Sequence, residues 1–305
     1  MNKKLRGSIF LFLAALFWGS AFVAQDAGLA YLGPYALNGF RFVLGALFMI
    51  PLVLYKRARI VKTVSLDAWR EVHRRSRNAG LVCGIFLAIA TCLQQVGLVY
   101  TTPGKSGFIT AMYIIIVPVL MGLVFRKRQK WNIWLACLMS LVGLYLLSNA
   151  GAEPLNIGDI FTTICAVAFA IHIIFVDKYS DTTDGLVLSE YQLLSAGVIG
   201  IFITLISGEV VTVSGIVGAL PYALYIAIFS CCVAYTCQVL GQKDTPPAMA
   251  CVLMSLESVF AYIFDLIING ASFSIREGLG AFAIFVAILI AQLINRDRVT
   301  EVKGG

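Results

Sequence analysis

The Gly-Lys-Ser triplet at 104–106, within GLVYTTPGKSGF (97–108), has the residue types with which a nucleotide-binding P-loop ends. A P-loop also needs a glycine five residues before its second glycine, so that backbone N–H groups surround the phosphates. That position is Val99, and a long apolar run precedes it. The spacing argues against nucleotide binding. We interpret the triplet as a helix start, with Ser106 as the cap and Lys105 in water.

Three ionisable residues lie deep in apolar segments, where charge is costly and each is a candidate functional group. Glu257, the deepest carboxylate, is interpreted either as a cation ligand or proton carrier, or as a structural group bonded to a nearby hydroxyl such as Ser255 or Ser258. Arg41 is interpreted either as a group that binds a substrate carboxylate or as a side chain that extends toward the outer headgroups. His172 is interpreted either as a group that titrates during transport or as a packing residue held by a hydrogen bond.

Neutral polar and aromatic residues form four further patterns at helical spacing. They comprise Ser106, Thr110 and Tyr113; Trp18 and Gln25; Thr91 and Gln95; and Tyr235 and Gln238. Each pattern alone is typical of a hydrogen-bonded contact between membrane helices. Pro118 is expected to kink its helix and free a backbone carbonyl for a cavity or for motion.

The composition determines which elements must position these residues. Of the 305 residues, 60% are hydrophobic and only 13% are charged, whereas soluble domains have about a quarter charged residues. So few charges cannot coat a water-soluble core of this size, and the chain is predicted to be embedded in a bilayer.

Ten segments are long and apolar enough to cross a bilayer as helices. A polar run at 56–78 is the only sizeable hydrophilic segment, and no soluble domain is expected. The predicted spans are about 7–25, 34–55, 79–98, 106–125, 131–148, 158–176, 186–206, 219–239, 247–267 and 277–294.

The distribution of basic residues predicts the orientation. Nearly all of the 23 Lys and Arg fall on the side of the termini, while Lys105 and Arg276 fall on the other side. The positive-inside rule therefore places both termini in the cytoplasm of a multi-pass cell-membrane protein. This topology accounts for the net charge of +7, and the basic segments lack the stacking aromatics of a nucleic-acid surface.

The eight cysteines all fall inside predicted spans. They show no Cys-x-x-Cys or Cys/His metal spacing, so they are expected to be small packing residues. The sequence predicts no metal and no cofactor, and it assigns no oligomeric state.

A weak internal repeat divides the chain into 1–150 and 151–305. An offset of 143 residues places Gln95 on Gln238, and it places Thr102-Pro103 on Thr245-Pro246. Five helices per half force the two halves into opposite orientations. This is the inverted repeat of many secondary transporters, which bind substrate near the midplane.

Four segments resemble the ten-helix, EamA-type branch of the drug/metabolite transporter superfamily. They are ALFWGSAFV (15–23), GFRFVLGAL (39–47), SGFITAMYIIIVPVL (106–120) and AMACVLMSLESVFAYIF (248–264), in the order and on the helices that the family uses. One departure is Ser258, where the family usually has proline. The resemblance implies an all-α membrane fold, with two inverted five-helix repeats around a central cavity that carries small polar organic solutes.

On this resemblance, the four patterns together with Arg41, His172 and Glu257 are predicted to bind substrate. Aromatic walls with hydroxyl and amide groups suit an amphipathic solute, so the sequence predicts a secondary transporter that exports amino acids or related metabolites. Proton coupling through Glu257 is part of this hypothesis. The alternative is uptake or exchange of a nucleoside, vitamin or quaternary amine. The loops contain no recognisable selectivity filter, which argues against a channel. The sequence contains no nucleophile–base pair, metal-binding set or paired carboxylates at membrane depth, which argues against a membrane enzyme.

The predicted orientation can be tested by labelling. In a background without native cysteines, Ser65→Cys should react with an impermeant thiol reagent only from the cytoplasm, and Ala152→Cys only from outside. The reverse pattern would refute the predicted orientation.

Overall fold

The computed structural model describes residues 2–62, 65–101, 103–127, 129–148, 154–268, 270 and 274–293, and the described elements are all helical. Ten spans have the length and apolar character of membrane helices, which confirms the predicted all-α membrane fold. They are α1 Lys3–Leu29, α2 Pro34–Ile60, α3 Leu66–Tyr100, α4 in two parts (Pro103–Thr110 and Tyr113–Leu123), α5 Trp131–Ser148, α6 Ile157–Ser180, α7 Gly185–Ser207, α8 Val213–Gln242, α9 in two parts (Pro247–Met254 and Leu256–Ile268) and α10 Ile275–Leu293.

The polar run at 56–78 is mostly helical rather than a long loop. Helix α2 continues to Ile60, and α3 begins at Leu66, where the Ser65 hydroxyl accepts a hydrogen bond from the Ala68 N–H. This serine cap, followed by Asp67 in the first turn, is a common start signal for a helix. Helix α3 therefore extends beyond the apolar segment that hydropathy alone identifies.

Helices α4 and α9 are interrupted at equivalent positions. The break in α4 falls at residues 111–112, and the break in α9 falls at Ser255. Adding the offset of 143 residues to Met112 gives Ser255. Helix α9 is interrupted at Ser255 although Ser258 stands where the family that the sequence resembles usually has proline. Interrupted helices at matching positions of two halves are typical of transporters with inverted repeats.

The packing of the helices follows the same relation between the halves. Helix α3 crosses α6 where Gly97 faces Gly158, and α8 crosses α1 where Gly241 faces Gly7. A Cβ on Gly158 would lie 2.7 Å from the Gly97 oxygen, and a Cβ on Gly7 would lie 2.9 Å from the Gly241 oxygen. Small residues let membrane helices approach this closely. Each crossing joins one helix of the first five to one of the last five.

Ion pairs join the two halves at both ends of the bundle. We call the end where α1 begins the terminal face and the opposite end the distal face. At the terminal face Arg6 pairs with Asp244 at 2.7 Å and Lys56 pairs with Asp184 at 2.6 Å. At the distal face Lys105 pairs with Asp159 at 2.7 Å.

The prediction that Lys105 stays in water is wrong. Its side chain is 4% exposed and that of Asp159 is 6% exposed, and the Lys105 ammonium also donates to the Pro154 carbonyl at 2.7 Å. Ser106 is not the cap either, because α4 begins at Pro103. The sequence places a lysine at a helix start, but only the tertiary fold brings the α6 carboxylate to it.

Removing one member of the buried pair should destabilise the protein. Asp159→Asn leaves the Lys105 ammonium without its counter-charge, at a cost of about 3–5 kcal/mol, and should lower the melting temperature in detergent. Glu71→Gln, which removes the carboxylate that two exposed ion pairs share, should leave the melting temperature nearly unchanged. Adding Lys105→Met to Asp159→Asn should recover part of the loss. Equal melting of the Asp159 and Glu71 variants would contradict the structural role of the pair.

Candidate functional site

Most of the residues that were predicted from the sequence to bind substrate line one cavity between the helices of the bundle. Nine of the twelve line it: Trp18, Gln25, Arg41, Thr110, Tyr113, His172, Tyr235, Gln238 and Glu257. They come from α1, α2, α4, α6, α8 and α9, and so from both halves of the chain. Residues on both sides of each helix break line the cavity: Thr110 and Tyr113 at one break, Met254 and Glu257 at the other.

Arg41 is buried and held by neutral partners. Its Nε and one terminal nitrogen donate to the Asn38 Oδ1 at 3.1 and 2.7 Å, and its other terminal nitrogen donates to the Gln25 Oε1. Gln95 also donates to that Gln25 oxygen, at 2.9 Å. Arg41 therefore does not extend toward the headgroups; its guanidinium is oriented inside the bundle by amides.

Glu257 lies in the first turn of the second part of α9. Ser255 donates instead to the Val252 carbonyl, at 2.7 Å. Among the described residues, no hydrogen bond or ion pair joins the Glu257 carboxylate to another side chain. The structural interpretation, in which hydroxyls of Ser255 or Ser258 hold this carboxylate, is therefore not what the structure shows.

Aromatic rings form one wall of the cavity around Tyr235. The Trp18 and Tyr235 rings meet edge to face with centroids 5.0 Å apart, and His172 approaches the same tyrosine at 6.3 Å. His172 Nε2 contacts Gln192 Oε1 at 3.1 Å, as the packing interpretation expects. Its side chain nevertheless also lines the cavity.

Several polar atoms of the cavity wall are buried without a partner in the described part of the chain. They are Trp18 Nε1, His172 Nδ1 and Gln238 Oε1. Buried polar groups are nearly always hydrogen-bonded, and each unsatisfied one requires an explanation. All three atoms belong to residues that line this one cavity.

Three predicted site residues lie outside the cavity lining. Thr91 accepts from Asn38 at 3.0 Å and donates to the Leu87 carbonyl at 2.8 Å. The Gln95 amide donates to the same Gln25 oxygen as Arg41 does, so it helps to hold the partner of Arg41 in place. Ser106 lies 3.5 Å from the Thr162 hydroxyl. For these residues, contact between helices is the better interpretation.

The carbonyl that Pro118 frees, which was predicted to serve the cavity or motion, is bonded to a neighbouring helix. The Cys137 thiol donates to the Ile114 carbonyl, four residues before the proline, at 3.3 Å. Pro118 also lies inside the second part of α4, after the break rather than at it. The interruption of α4 is therefore a separate feature, at residues 111–112.

Six lining residues were missed by the sequence analysis. Phe22 follows Trp18 by one helical turn and had a usable signal. Gln94 donates to Thr110 at 3.3 Å and takes the place expected for Gln95. Ser230 lies in a π-helical stretch of α8, Ile226–Ala234, which no hydrophobic pattern reveals. The others are Phe169, Ile173 and Met254.

Ten membrane helices around an internal polar cavity define a class of multi-pass membrane proteins to which many transporters belong. The chain matches the EamA-like transporter family over residues 5–149 and again over residues 156–293. The chain belongs to that family, and it is a membrane transporter of the EamA type.

Individual proteins resemble this chain along nearly its whole length. An uncharacterized transporter from Archaeoglobus fulgidus is 29% identical, over 95% of this chain and 87% of the relative. The uncharacterized inner membrane transporter YedA from Escherichia coli K12 is 22% identical, over 93% of this chain and 89% of the relative. A crystal structure of another protein superposes with a TM-score of 0.77 at 18% identity, over 95% of this chain and 98% of that chain. This last similarity shows the fold alone.

The aromatic wall can be tested by truncation. Tyr113→Ala removes a buried ring and Trp18→Ala a partly buried one, so each should weaken substrate binding by about 1 kcal/mol, or roughly fivefold. Trp131→Ala, whose side chain is 69% exposed, is the matched control and should bind normally. Unchanged affinity in both cavity variants, measured on protein with normal melting, would mean that substrate binds elsewhere.

Proposed function

We propose that this protein is a secondary transporter that exports small amphipathic metabolites, amino acids or related compounds, by alternating access. The observation that carries the proposal is the position of the two helix breaks. Residues beside the breaks in α4 and α9 line one cavity between the two halves. Interrupted helices present polar backbone and side-chain groups to a substrate near the midplane, which is where such transporters bind it.

The ion pairs at the two faces support alternation. Lys105–Asp159 joins the halves at the distal face, and Arg6–Asp244 with Lys56–Asp184 joins them at the terminal face. Opening a path from the cavity to either face requires the halves to separate there. In this proposal the pairs at the opening face break while those at the closed face hold.

Proton coupling through Glu257 belongs to the same proposal. A carboxylate without a protein partner can bind either a proton or a cationic group of the substrate. If each excludes the other, one proton enters for each substrate that leaves. The proposed setting is the cytoplasmic membrane with both termini in the cytoplasm, and the small-molecule cavity together with the transporter relatives favours transport over catalysis.

Glu257→Gln tests the coupling. The amide keeps the shape of the side chain but cannot ionise, so accumulation driven by a proton gradient should be abolished while exchange at saturating substrate persists. Glu257→Asp should retain partial accumulation with a shifted pH dependence. Both variants need normal melting in detergent. Wild-type accumulation by Glu257→Gln across a proton gradient would refute the coupling role.

The transport proposal itself is tested by counterflow in reconstituted vesicles. Vesicles loaded with one amino acid should take up the same labelled compound faster than empty vesicles do. Parallel loading with amines and nucleosides identifies the solute class, and imposed gradients in both directions separate export from uptake. Uptake that no internal solute accelerates would contradict a carrier mechanism and favour a channel.

A further inference from the structure

A second cavity lies at the outer surface of the bundle. It is a groove of about 570 Å³ that residues of α1, α9 and α10 line. We call it the terminal groove, because it begins beside the first residues of α1. It shares no described lining residue with the central cavity, so it is a separate feature of the molecule.

Polar and apolar side chains are separated along the terminal groove. Lys4, near the start of α1, and Gln292, near the end of α10, line it at the terminal face. Phe12, Leu256 and Phe285 line it about two helical turns further into the bundle. The groove is therefore polar at the terminal face and apolar toward the middle of the membrane.

The depth of the groove matches one leaflet of a bilayer. Phe12 follows Lys4 by eight residues, which is about 12 Å along a helix, and half of the hydrocarbon core is about 15 Å thick. At this depth α1 and α9 converge. The Phe12 and Phe260 rings meet edge to face with centroids 5.3 Å apart, and a Cβ on Gly19 would lie 2.7 Å from the Glu257 carbonyl oxygen. The groove thus ends within the leaflet at the terminal face.

The apolar part of the groove is open to the outside of the bundle. Met249, Leu253 and Ile288 are buried and form its inner wall, whereas Ile9 and Leu289 are exposed at its sides. The outer surface of these helices faces lipid in a membrane protein of this fold. Acyl chains of the bilayer therefore have direct access to the groove.

The polar end of the groove is basic. Lys4 is the one charged residue among the described lining residues. Lys3 and Arg6 flank it in the sequence, and the first acidic residue is Asp26. Arg6 pairs with Asp244. The N-terminus of α1 adds the partial positive charge of the helix dipole at the same place.

We propose that the terminal groove binds an anionic phospholipid from the leaflet at the terminal face. One acyl chain lies along the apolar wall, and the phosphate group lies at Lys4. Basic residues at the level of the headgroups attract anionic lipids more strongly than zwitterionic ones. This lipid site goes beyond the proposed transport function and does not depend on it.

Two other occupants fit the groove less well. A parallel dimer through this surface would bring the basic ends of both copies into one interface at the same membrane depth, where they repel each other. Residues 294–305 follow α10 and have the sequence INRDRVTEVKGG, which is too polar to fill an apolar groove. Charge and apolar character together favour a lipid.

Two lipids with the same acyl chains and different headgroup charge test the proposal. Full-length protein freed of lipid is titrated in detergent with dioleoyl phosphatidylglycerol or dioleoyl phosphatidylcholine, and native mass spectrometry measures the bound fraction. The wild type should bind one phosphatidylglycerol roughly fivefold more tightly than phosphatidylcholine. Equal affinity for the two lipids would overturn the proposal.

Variants separate the headgroup contact from the acyl-chain contact. Lys4→Gln should lose the preference for phosphatidylglycerol, and Lys4→Arg should keep it. Ile9→Trp fills the groove and should weaken the binding of both lipids severalfold. The matched controls are Lys127→Gln, at an exposed lysine outside the groove, and Leu138→Trp, at an exposed leucine of α5. Both controls should bind lipid as the wild type does, and all variants are compared at normal melting temperature.

Three results would overturn the lipid site. If Lys127→Gln lowers the preference as much as Lys4→Gln does, the whole basic face attracts the lipid and the groove does not. Unchanged lipid binding by Ile9→Trp would place the acyl chain elsewhere. A lipid-free dimer that Ile9→Trp dissociates would make the groove an interface between two copies of the chain.

Discussion

A bilayer offers no partner to a buried charge or to a free backbone group, and this constraint determines most of the structure. The helices satisfy their own backbone groups, and the ion pairs at the two faces satisfy charges that connect the halves. In the buried Lys105–Asp159 pair, both charges have further partners, because Lys105 also donates to the Pro154 carbonyl and Asp159 also accepts from the Asn156 N–H. The central cavity departs from the rule, because Arg41 and Glu257 line it and neither is in an ion pair with any described residue.

That departure gives the site its chemistry. The breaks in α4 and α9 bring polar groups to the middle of the bundle, and the glycine crossings at α3–α6 and α1–α8 bring the two halves close together around them. In the proposed transport cycle, the residues that bind substrate and the surfaces that move belong to the same interface between the halves.

Much of this arrangement could be predicted from the sequence. Long apolar runs are a strong signal, and the predicted number of helices and their approximate bounds were confirmed. Helical spacing identified Trp18, Tyr113 and Tyr235, and all three line one cavity. The predictions that were wrong concern features that tertiary contacts determine. The burial of Lys105 requires Asp159 from a distant helix, the carbonyl freed by Pro118 is taken by Cys137, and the choice between Gln94 and Gln95 depends on helix rotation. The π-helical stretch near Ser230 has no periodic signature at all.

In the proposed transport cycle, one cavity opens alternately to the two faces of the membrane. Ser230→Cys, in a background without native cysteines, places a thiol on the wall of the cavity. Impermeant reagent is expected to modify this thiol from either face of oriented vesicles, and bound substrate is expected to protect it from both. A disulfide between Ser106→Cys and Thr162→Cys, which replace hydroxyls 3.5 Å apart near the distal face, should confine labelling to the terminal face. Labelling from one face only in the untrapped protein, or unprotected labelling in saturating substrate, would contradict alternating access through this cavity.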